Sequence, residues 1–354
     1  MAPRSKSSVT RSLKSVDEMI MGLPLFNLSP MKAIVLEKYG GPEQLQLKEV
    51  EAPVPGDGEV LVAVHAVSIN DWDWGLMTGD FVNRMLNGIS KPRRKILGSD
   101  IAGRVEALGK NVTRFKVGDE VFGDLSGMWG GFAEYVCAKE EVLGHKPRGM
   151  TFEQAAAIPQ AGMLAVQGLI DVGRVKQGEK ILLNGAGGGV GTFALQILKP
   201  YGVNVTVVDT AEKLDMLRSL GADRGLDYKR EDFTADGTRY DLILDAKTNR
   251  SIFRYLRALA RGGRYVTVGG AIPGLLQAFL FGPLISLFTG KQIRIVALKP
   301  NKDLGYMGRL FESGQMAPVI DGPYRLEDVP EAFRIFGRGE HKGKMVITVR
   351  PSAG

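Results

Sequence analysis

The sequence predicts an α/β chain in which a mainly β domain is split around a doubly wound parallel-sheet domain. Three observations predict it. Short runs rich in Val, Leu and Ile, separated by Gly- and Pro-rich turns, fill the region from Met31 to Met150. Strand and helix patterns then alternate with short connections, an order that requires right-handed crossovers and a parallel sheet covered on both faces. The tail returns to mixed structure, as though rejoining the first domain. The expected division is therefore a leader at 1–30, a split β domain at 31–157 and 291–354, and a nucleotide-binding domain at 158–290.

Residues 1–30 are Ser-, Lys- and Arg-rich and lack periodicity before Met19. They read as a disordered leader, either an upstream-start artefact ahead of Met31 or a targeting segment without a secretory cleavage site. Strands are predicted at Lys32 to Glu37, Leu45 to Val50, Glu59 to Ile69, Asp100 to Leu108, Glu120 to Phe122 and Ala133 to Cys137. After Met150 the period becomes helical over Thr151 to Ile158 and Gly162 to Asp171, the first opened by a capping box of Thr151 and Gln154. The alternation then runs strand Lys180 to Leu183, helix from Val190, strand Asn204 to Val208, helix Ala211 to Leu220, strand Asp241 to Asp245, helix Ser251 to Ala260 and strand Arg264 to Val268. Strand candidates Gln292 to Leu298 and Met345 to Val349 flank helical stretches Leu304 to Ser313 and Leu326 to Phe336.

Composition narrows the function. A chain of 354 residues with 44% hydrophobic and 24% charged residues is an ordinary globular protein of more than one domain. The net charge of +7 is carried by basic residues interleaved with acids, which reads as a solvated surface that favours anionic cofactors rather than nucleic acid. Cys137 is the single cysteine, so an intrachain disulfide and a multi-cysteine zinc site are excluded and a reducing, cytoplasmic setting is expected. No uninterrupted apolar run is long enough for stable membrane insertion. Gly274 to Thr289 reads as one or two short buried or interfacial helices, where peripheral membrane contact is conceivable.

The glycine block Gly185-Ala186-Gly187-Gly188-Gly189-Val190-Gly191 sits between an apolar strand and a helix. Glycine lets the backbone turn tightly and lets a phosphate approach, and the free N–H groups of the helix start attract an anion; Ala186, Gly187, Gly188, Gly189 and Val190 are thus candidate dinucleotide contacts. Asp209, 18 residues beyond Gly191, can accept hydrogen bonds from an adenosine ribose and would repel a 2′-phosphate. Thr210 and Lys213 beside it could instead hold that phosphate, and Asp209 could simply cap the next helix. NAD is favoured slightly over NADP.

Ile96-Leu97-Gly98-Ser99-Asp100-Ile101-Ala102-Gly103-Arg104-Val105, Phe115-Lys116-Val117-Gly118-Asp119-Glu120-Val121-Phe122-Gly123, Gly131-Phe132-Ala133-Glu134-Tyr135 and the glycine turn carry a family resemblance. In this order and spacing the chain, from about Met31 to Val349, resembles the zinc-independent quinone oxidoreductase branch of the medium-chain dehydrogenase/reductase superfamily. The resemblance implies a GroES-like β domain split around a Rossmann domain, with NAD(P)H in the cleft. It also implies that Tyr228 lies near the adenosine end, that Gly269 and Gly270 close a strand at the ligand edge, and that Leu298, Lys299, Asn301 and Lys344 approach the nicotinamide. Leu164 stands where relatives usually carry a threonine beside the nicotinamide.

The positions matching the zinc ligands of metal-dependent relatives look to be Asn70, Ser99-Asp100 and the neighbourhood of Gln160 and Ala161, none of them Cys or His. No zinc is expected, since zinc needs thiolate or imidazole donors in tetrahedral array. His65, His145 and His341 read as structural. Without a metal, oxidation of simple alcohols is difficult, whereas an activated acceptor needs only a hydride, a donor to the developing oxyanion and a proton. Asn70, in a motif similar to the family's Asn-x-x-Asp, is the candidate catalytic residue: its amide orients the nicotinamide or donates to the substrate carbonyl, or merely fixes a turn with Asp73. No general acid stands out; solvent and Tyr39 are equal candidates. Trp72 and Trp74 line a cleft or pack in the core. The expected protein is a metal-free NAD(P)H-dependent reductase of quinones or α,β-unsaturated carbonyls, a homodimer paired through Gln292 to Leu298. The alternatives are a zinc-free alcohol dehydrogenase and a nucleotide-binding regulatory or assembly protein with vestigial turnover.

Overall fold

In the computed structural model, which describes residues 30–350, the β half is built first. Strands β1 (Met31–Leu36) and β2 (Leu45–Val50) pair antiparallel, and β3 (Glu59–Ser68) runs through the centre of a larger sheet. Two short helices follow, α1 (Asp71–Thr78) and α2 (Phe81–Asn87), then β4 (Asp100–Leu108), β5 (Glu120–Asp124), β6 (Tyr135–Lys139) and β7 (Gly144–His145). The leader expected at 1–30 lies, apart from Pro30, outside the described residues.

Helix α3 (Phe152–Ala157) opens on the expected Thr151–Gln154 capping box, and α4 (Pro159–Val166) continues as a π-helical turn, Gln167–Val172. The second domain follows as β8 (Lys180–Asn184), α5 (Gly189–Leu198), β9 (Asn204–Asp209), α6 (Ala211–Ser219), β10 (Arg224–Asp227), β11 (Tyr240–Asp245), α7 (Ile252–Ala258), β12 (Leu259–Thr267), α8 (Ile272–Thr289) and β13 (Gln292–Ile295). The chain ends with α9 (Leu304–Glu312), β14 (Ile320–Arg325), α10 (Val329–Arg338) and β15 (Lys344–Thr348).

The parallel sheet has the order β10-β9-β8-β11-β12-β13, and its direction of winding reverses between β8 and β11. A crevice opens at the carboxyl ends of those two strands, where ligands of such sheets bind. The β domain holds the other large sheet, β14-β15-β3-β4-β5-β7, with β6 paired to β3. Because β15 pairs with β3, the last strand returns to the first domain, and the split arrangement follows.

Two expectations need correction, and four elements appear that the sequence pattern does not announce. The boundary at 290/291 falls after β13, because Gln292–Ile295 pairs in parallel with β12 and completes the nucleotide-domain sheet. Gly274 to Thr289, expected as one or two short buried or interfacial helices, is a single longer helix, α8, of 18 residues running through Pro283, with most of its large side chains exposed. Strands β10 and β14 carry Gly, Asp or Pro in place of alternating apolar residues, so no pattern announces them. Helices α1 and α2 are only 8 and 7 residues long, too short for a helical period to emerge.

Candidate active site

The glycine turn is built by close approach. An added Cβ on Gly191 would sit 2.3 Å from the Cα and carbonyl oxygen of Ala186, so helix α5 can start against β8 only with glycine there. Gly187 donates its N–H to Asp209 Oδ2 at 2.7 Å and accepts at its carbonyl from Gly343 N–H at 2.8 Å. The stretch before β15 is thereby clamped onto the turn. The first N–H groups of α5 have no intrahelical acceptor and face the crevice through Gly188, Gly189 and Val190. Ala186 and Gly187 face inward and shape the turn without lining the crevice.

Two connected cavities flank this turn. One, about 610 Å³, is lined by Asp209, Thr210, Lys213, Tyr228, Lys247 and His341. Asp209 Oδ1 accepts from Thr210 N–H at 2.9 Å and lies 3.5 Å from Lys213 Nζ, which also donates to the Gly339 carbonyl at 2.8 Å. Burial pulls the Lys213 ammonium below its usual range against the stabilising pull of Asp209. His341 stacks on Phe336 at 4.8 Å, and its buried Nδ1 has no hydrogen-bond partner among the described residues. Burial, with Lys213 and Lys247 nearby, pushes its pKa down to about 3, so it stands as a neutral imidazole.

The narrower cavity is lined by Asn70, Gln160, Leu164, Gly189, Val190 and Lys344, with the leucine presenting only carbon to it. Here four segments meet. Lys344 Nζ donates to Asn70 Oδ1 and lies 3.3 Å from Asp100 Oδ2. One amide hydrogen of Asn70 goes to Ser99 Oγ at 3.1 Å, and the Asp100 carboxylate also accepts from Gln160 N–H at 3.1 Å. Asp73 is buried beneath, accepting from Gly98 N–H at 2.9 Å and Asn70 N–H at 3.0 Å, which fixes the turn from β3 into α1. Burial pushes the Asp100 carboxyl upward, opposed first by the Lys344 charge. Sequence alone brings Asn70, Ser99, Asp100 and Gln160 together only by resemblance; the structure joins them around an ammonium.

Several expected contacts are not on these walls. Asn301 bonds Asp124 in both directions, Oδ1 accepting from its N–H at 2.7 Å and Nδ2 donating to its carbonyl at 2.8 Å, while Lys299 exchanges backbone bonds with the Gln167 amide. Leu298 packs on the core edge. Asn301 thus ties the crossing to β5 of the β domain, and Lys299 ties it to the turn that follows α4. Gly269 and Gly270 end β12 with φ of +149° and +111°, and an added Cβ on Gly270 would sit 2.2 Å from the Lys247 carbonyl oxygen, so they shape the loop beside the crevice. Tyr39 donates to the Gly88 carbonyl at 2.6 Å, and neither it, Trp72 nor Trp74 lines either cavity. His341 is the site residue that sequence reading set aside; its position follows from the Gly187–Gly343 clamp, which no local pattern announces. A further open cavity of about 730 Å³, between His145, Arg148 and Arg309, lies away from the glycine turn.

Residues 56–148 match the model of the alcohol dehydrogenase GroES-like domain and residues 220–347 that of a zinc-binding dehydrogenase. The chain is 31% identical over 335 residues to the human (Homo sapiens) quinone oxidoreductase, covering 90% of this chain and 97% of that protein. The chain belongs to the quinone oxidoreductase branch of the medium-chain dehydrogenase/reductase superfamily. Within that superfamily it is also 31% identical to the 2-methylene-furan-3-one reductase of Solanum lycopersicum, over 90% of this chain and 79% of that protein. The quinone oxidoreductase structure from Coxiella burnetii superposes with a TM-score of 0.81 at 29% identity, covering 91% of this chain and all of that one. The fold is thus the family's GroES-like domain joined to a Rossmann domain, and the family's cofactor is a nicotinamide.

Proposed function

We propose that the protein is an NADH-preferring reductase that delivers a hydride to a quinone, or to the C=C bond of an α,β-unsaturated carbonyl, without a catalytic metal. The observation that carries this reading is the buried Asn70–Lys344–Asp100 cluster in the narrow cavity beside the α5 start. Zinc needs sulfur or imidazole donors in tetrahedral array, whereas here an amide oxygen and one carboxylate hold an ammonium. The residues therefore do not fit zinc, although one matching family model is described as zinc-binding.

A bound nicotinamide supplies the hydride. The chain's part is to stabilise the charge that develops on the acceptor oxygen, and an ammonium buried at 4% exposure is a strong donor for it. Asp100 and the Asn70 carbonyl hold Lys344 in place, which makes Asn70 a positioning residue as well as a donor through its second amide hydrogen. Solvent at the mouth of the cleft supplies the proton. His341, a neutral imidazole on the walls of both cavities, supports a cofactor lying against its ring.

The cofactor preference follows from Asp209. Its carboxylate is fixed by the N–H groups of Gly187 and Thr210 and still has lone pairs for a ribose hydroxyl. Lys213, the cation best placed for a 2′-phosphate, is already committed to Asp209 and Gly339. The exposed edge of β13 supports a homodimer paired across that strand, and the lone Cys137 is in keeping with a cytoplasmic setting.

The test is a screen in which the chain is mixed with NADH and quinones, enals, enones or simple alcohols while nicotinamide absorbance is followed. Oxidation by quinones or enals with no turnover of simple alcohols is expected. Tight NADH binding with no oxidation across the panel would overturn the enzyme reading in favour of a nucleotide-binding regulatory protein. Chelator-sensitive alcohol oxidation would overturn its metal-free part.

A further inference from the structure

Helix α8 connects β12 to β13 across one face of the parallel sheet, yet its polarity is the reverse of what a crossover helix needs. The side turned inward is small: Gly274, Ala278 and Gly282, with Ile285. A Cβ on Gly274 would meet the Thr248 carbonyl at 2.5 Å, so the helix lies close against its neighbours through its smallest residues. The side turned to solvent carries the large apolar groups. Phe279, Leu287 and Phe288 are 68%, 76% and 79% exposed, with Leu276, Leu280 and Leu284 also exposed. Not one charged residue occurs in its 18 residues. Exposed Phe253 on α7 extends the patch, its ring 5.7 Å from that of Phe281.

Charge along this segment is one-sided, Asp232 from outside it pairing with Arg254 at 3.5 Å. Between Asp245 and Asp303 the chain has ten Lys and Arg residues and no Asp or Glu, a local exception to the interleaving seen elsewhere. Arg254, Arg257 and Arg261 are exposed on and just beyond α7, and Lys291, just past the Gly290 cap of α8, donates to the Leu256 carbonyl at 2.6 Å. An apolar surface flanked by cations is complementary to a bilayer with anionic headgroups, where apolar side chains enter the headgroup–acyl boundary and cations meet the surface charge. The helix is long and apolar enough to cross a membrane, with a mean hydropathy of 1.6. Both of its ends, however, enter parallel neighbouring strands of one sheet, which holds it flat against the domain.

We infer that α8, with the basic flank of α7, docks the folded protein on an anionic lipid surface, lying in the interface without spanning it. Because α8 begins directly after Gly269–Gly270 at the edge of the crevice, docking brings the cleft near lipid-soluble acceptors. The surface does not depend on which acceptor the site reduces.

The test is co-sedimentation of the full chain with vesicles of phosphatidylcholine alone and of phosphatidylcholine with phosphatidylglycerol, alongside Leu287→Gln/Phe288→Gln and Arg254→Glu/Arg257→Glu. Binding to the anionic vesicles, weakened by salt and reduced about tenfold or more in each double variant, is expected, with NADH affinity unchanged. No sedimentation with either vesicle would overturn the inference. So would equal retention on both vesicle types, which would remove the anionic surface, or a dimer that Leu287→Gln/Phe288→Gln converts to monomer, which would make a second copy the occupant of the patch.

Discussion

Single residues in this site do work that their types alone do not reveal. Asp209 is anchored from two sides, so replacing it with serine removes a fixed negative charge and releases Lys213 toward a phosphate. Asp209→Ser is expected to shift the ratio of kcat/KM for NADPH over NADH upward by about tenfold or more, measured by steady-state kinetics with one quinone; an unchanged ratio would remove Asp209 from the adenosine site. Asp124 offers a pH test. Its Oδ2 is buried without a partner, and burial, with Asp100 adding to it, pushes its pKa up to about 6. A carboxyl raised in the native state binds its proton more tightly than in the unfolded chain. Its stabilising contribution is present in acid and is lost as pH rises from the unfolded value near 4 through about 6. Urea unfolding of wild type and Asp124→Asn across that range should diverge by about 3 kcal/mol, the wild type losing more; parallel curves would contradict it.

Residues were legible in proportion to how local their context is. The glycine turn and Asp209 announce themselves through strand, turn and helix. Lys344 was reached only through resemblance, because its partners Asn70 and Asp100 lie more than two hundred positions away in the chain. His341 was set aside because nothing near it in sequence indicates that Gly343 docks on Gly187.

At the scale of elements, the tightest constraint is the contact between β8 and α5. Gly191→Ala would drive a methyl into the Ala186 backbone at 2.3 Å, while a Cβ on Gly189 would meet only side-chain carbons at 3.1 and 3.2 Å. Gly191→Ala is therefore expected to cost about 3 kcal/mol of stability and Gly189→Ala well under half of that, compared by thermal unfolding. Equal losses would mean that the turn relaxes freely. The alternating strands of the Rossmann sheet could be read from sequence because buried parallel strands are continuous apolar runs, as at Ile181 to Leu183 and Val205 to Val208. For α8 the sequence left burial and an interfacial position open, because Gln277, Gly282, Pro283 and Ser286 interrupt an otherwise apolar run, and only the packing shows that its small side faces in.

Across the whole molecule, the cleft opens at a joint between two domains that share one buried core, in which Ala66, Phe122 and Val346 cluster with Ile181, Leu183 and Leu244. Away from the cleft Gln196 bridges the domains, donating to the Ala317 carbonyl at 3.0 Å and accepting from its N–H at 2.9 Å, while Gly187 and Gly343 join the turn to the strap before β15. The topology brings Asn70 and Asp100 from the β domain, Lys344 from the returning strand and Gln160 from the first helix of the nucleotide domain to one point. A mixed origin of this kind explains why the fold class was readable in order from the chain while the chemistry was not.

We propose that the Lys344 ammonium supplies the charge stabilisation that a metal would otherwise supply. Removing Lys344 alone would strand the buried Asp100 charge, so the decisive variant is Lys344→Met/Asp100→Asn, set beside Asp100→Asn as the reference. The measurement is single-turnover oxidation of bound NADH by a quinone, followed by stopped flow with chelator present throughout. Full activity of the wild type under chelator and a hydride-transfer rate lowered about 100-fold or more in the double variant, with NADH still bound, is the predicted result. A wild-type rate that collapses with chelator, or a double variant as fast as Asp100→Asn, would contradict it.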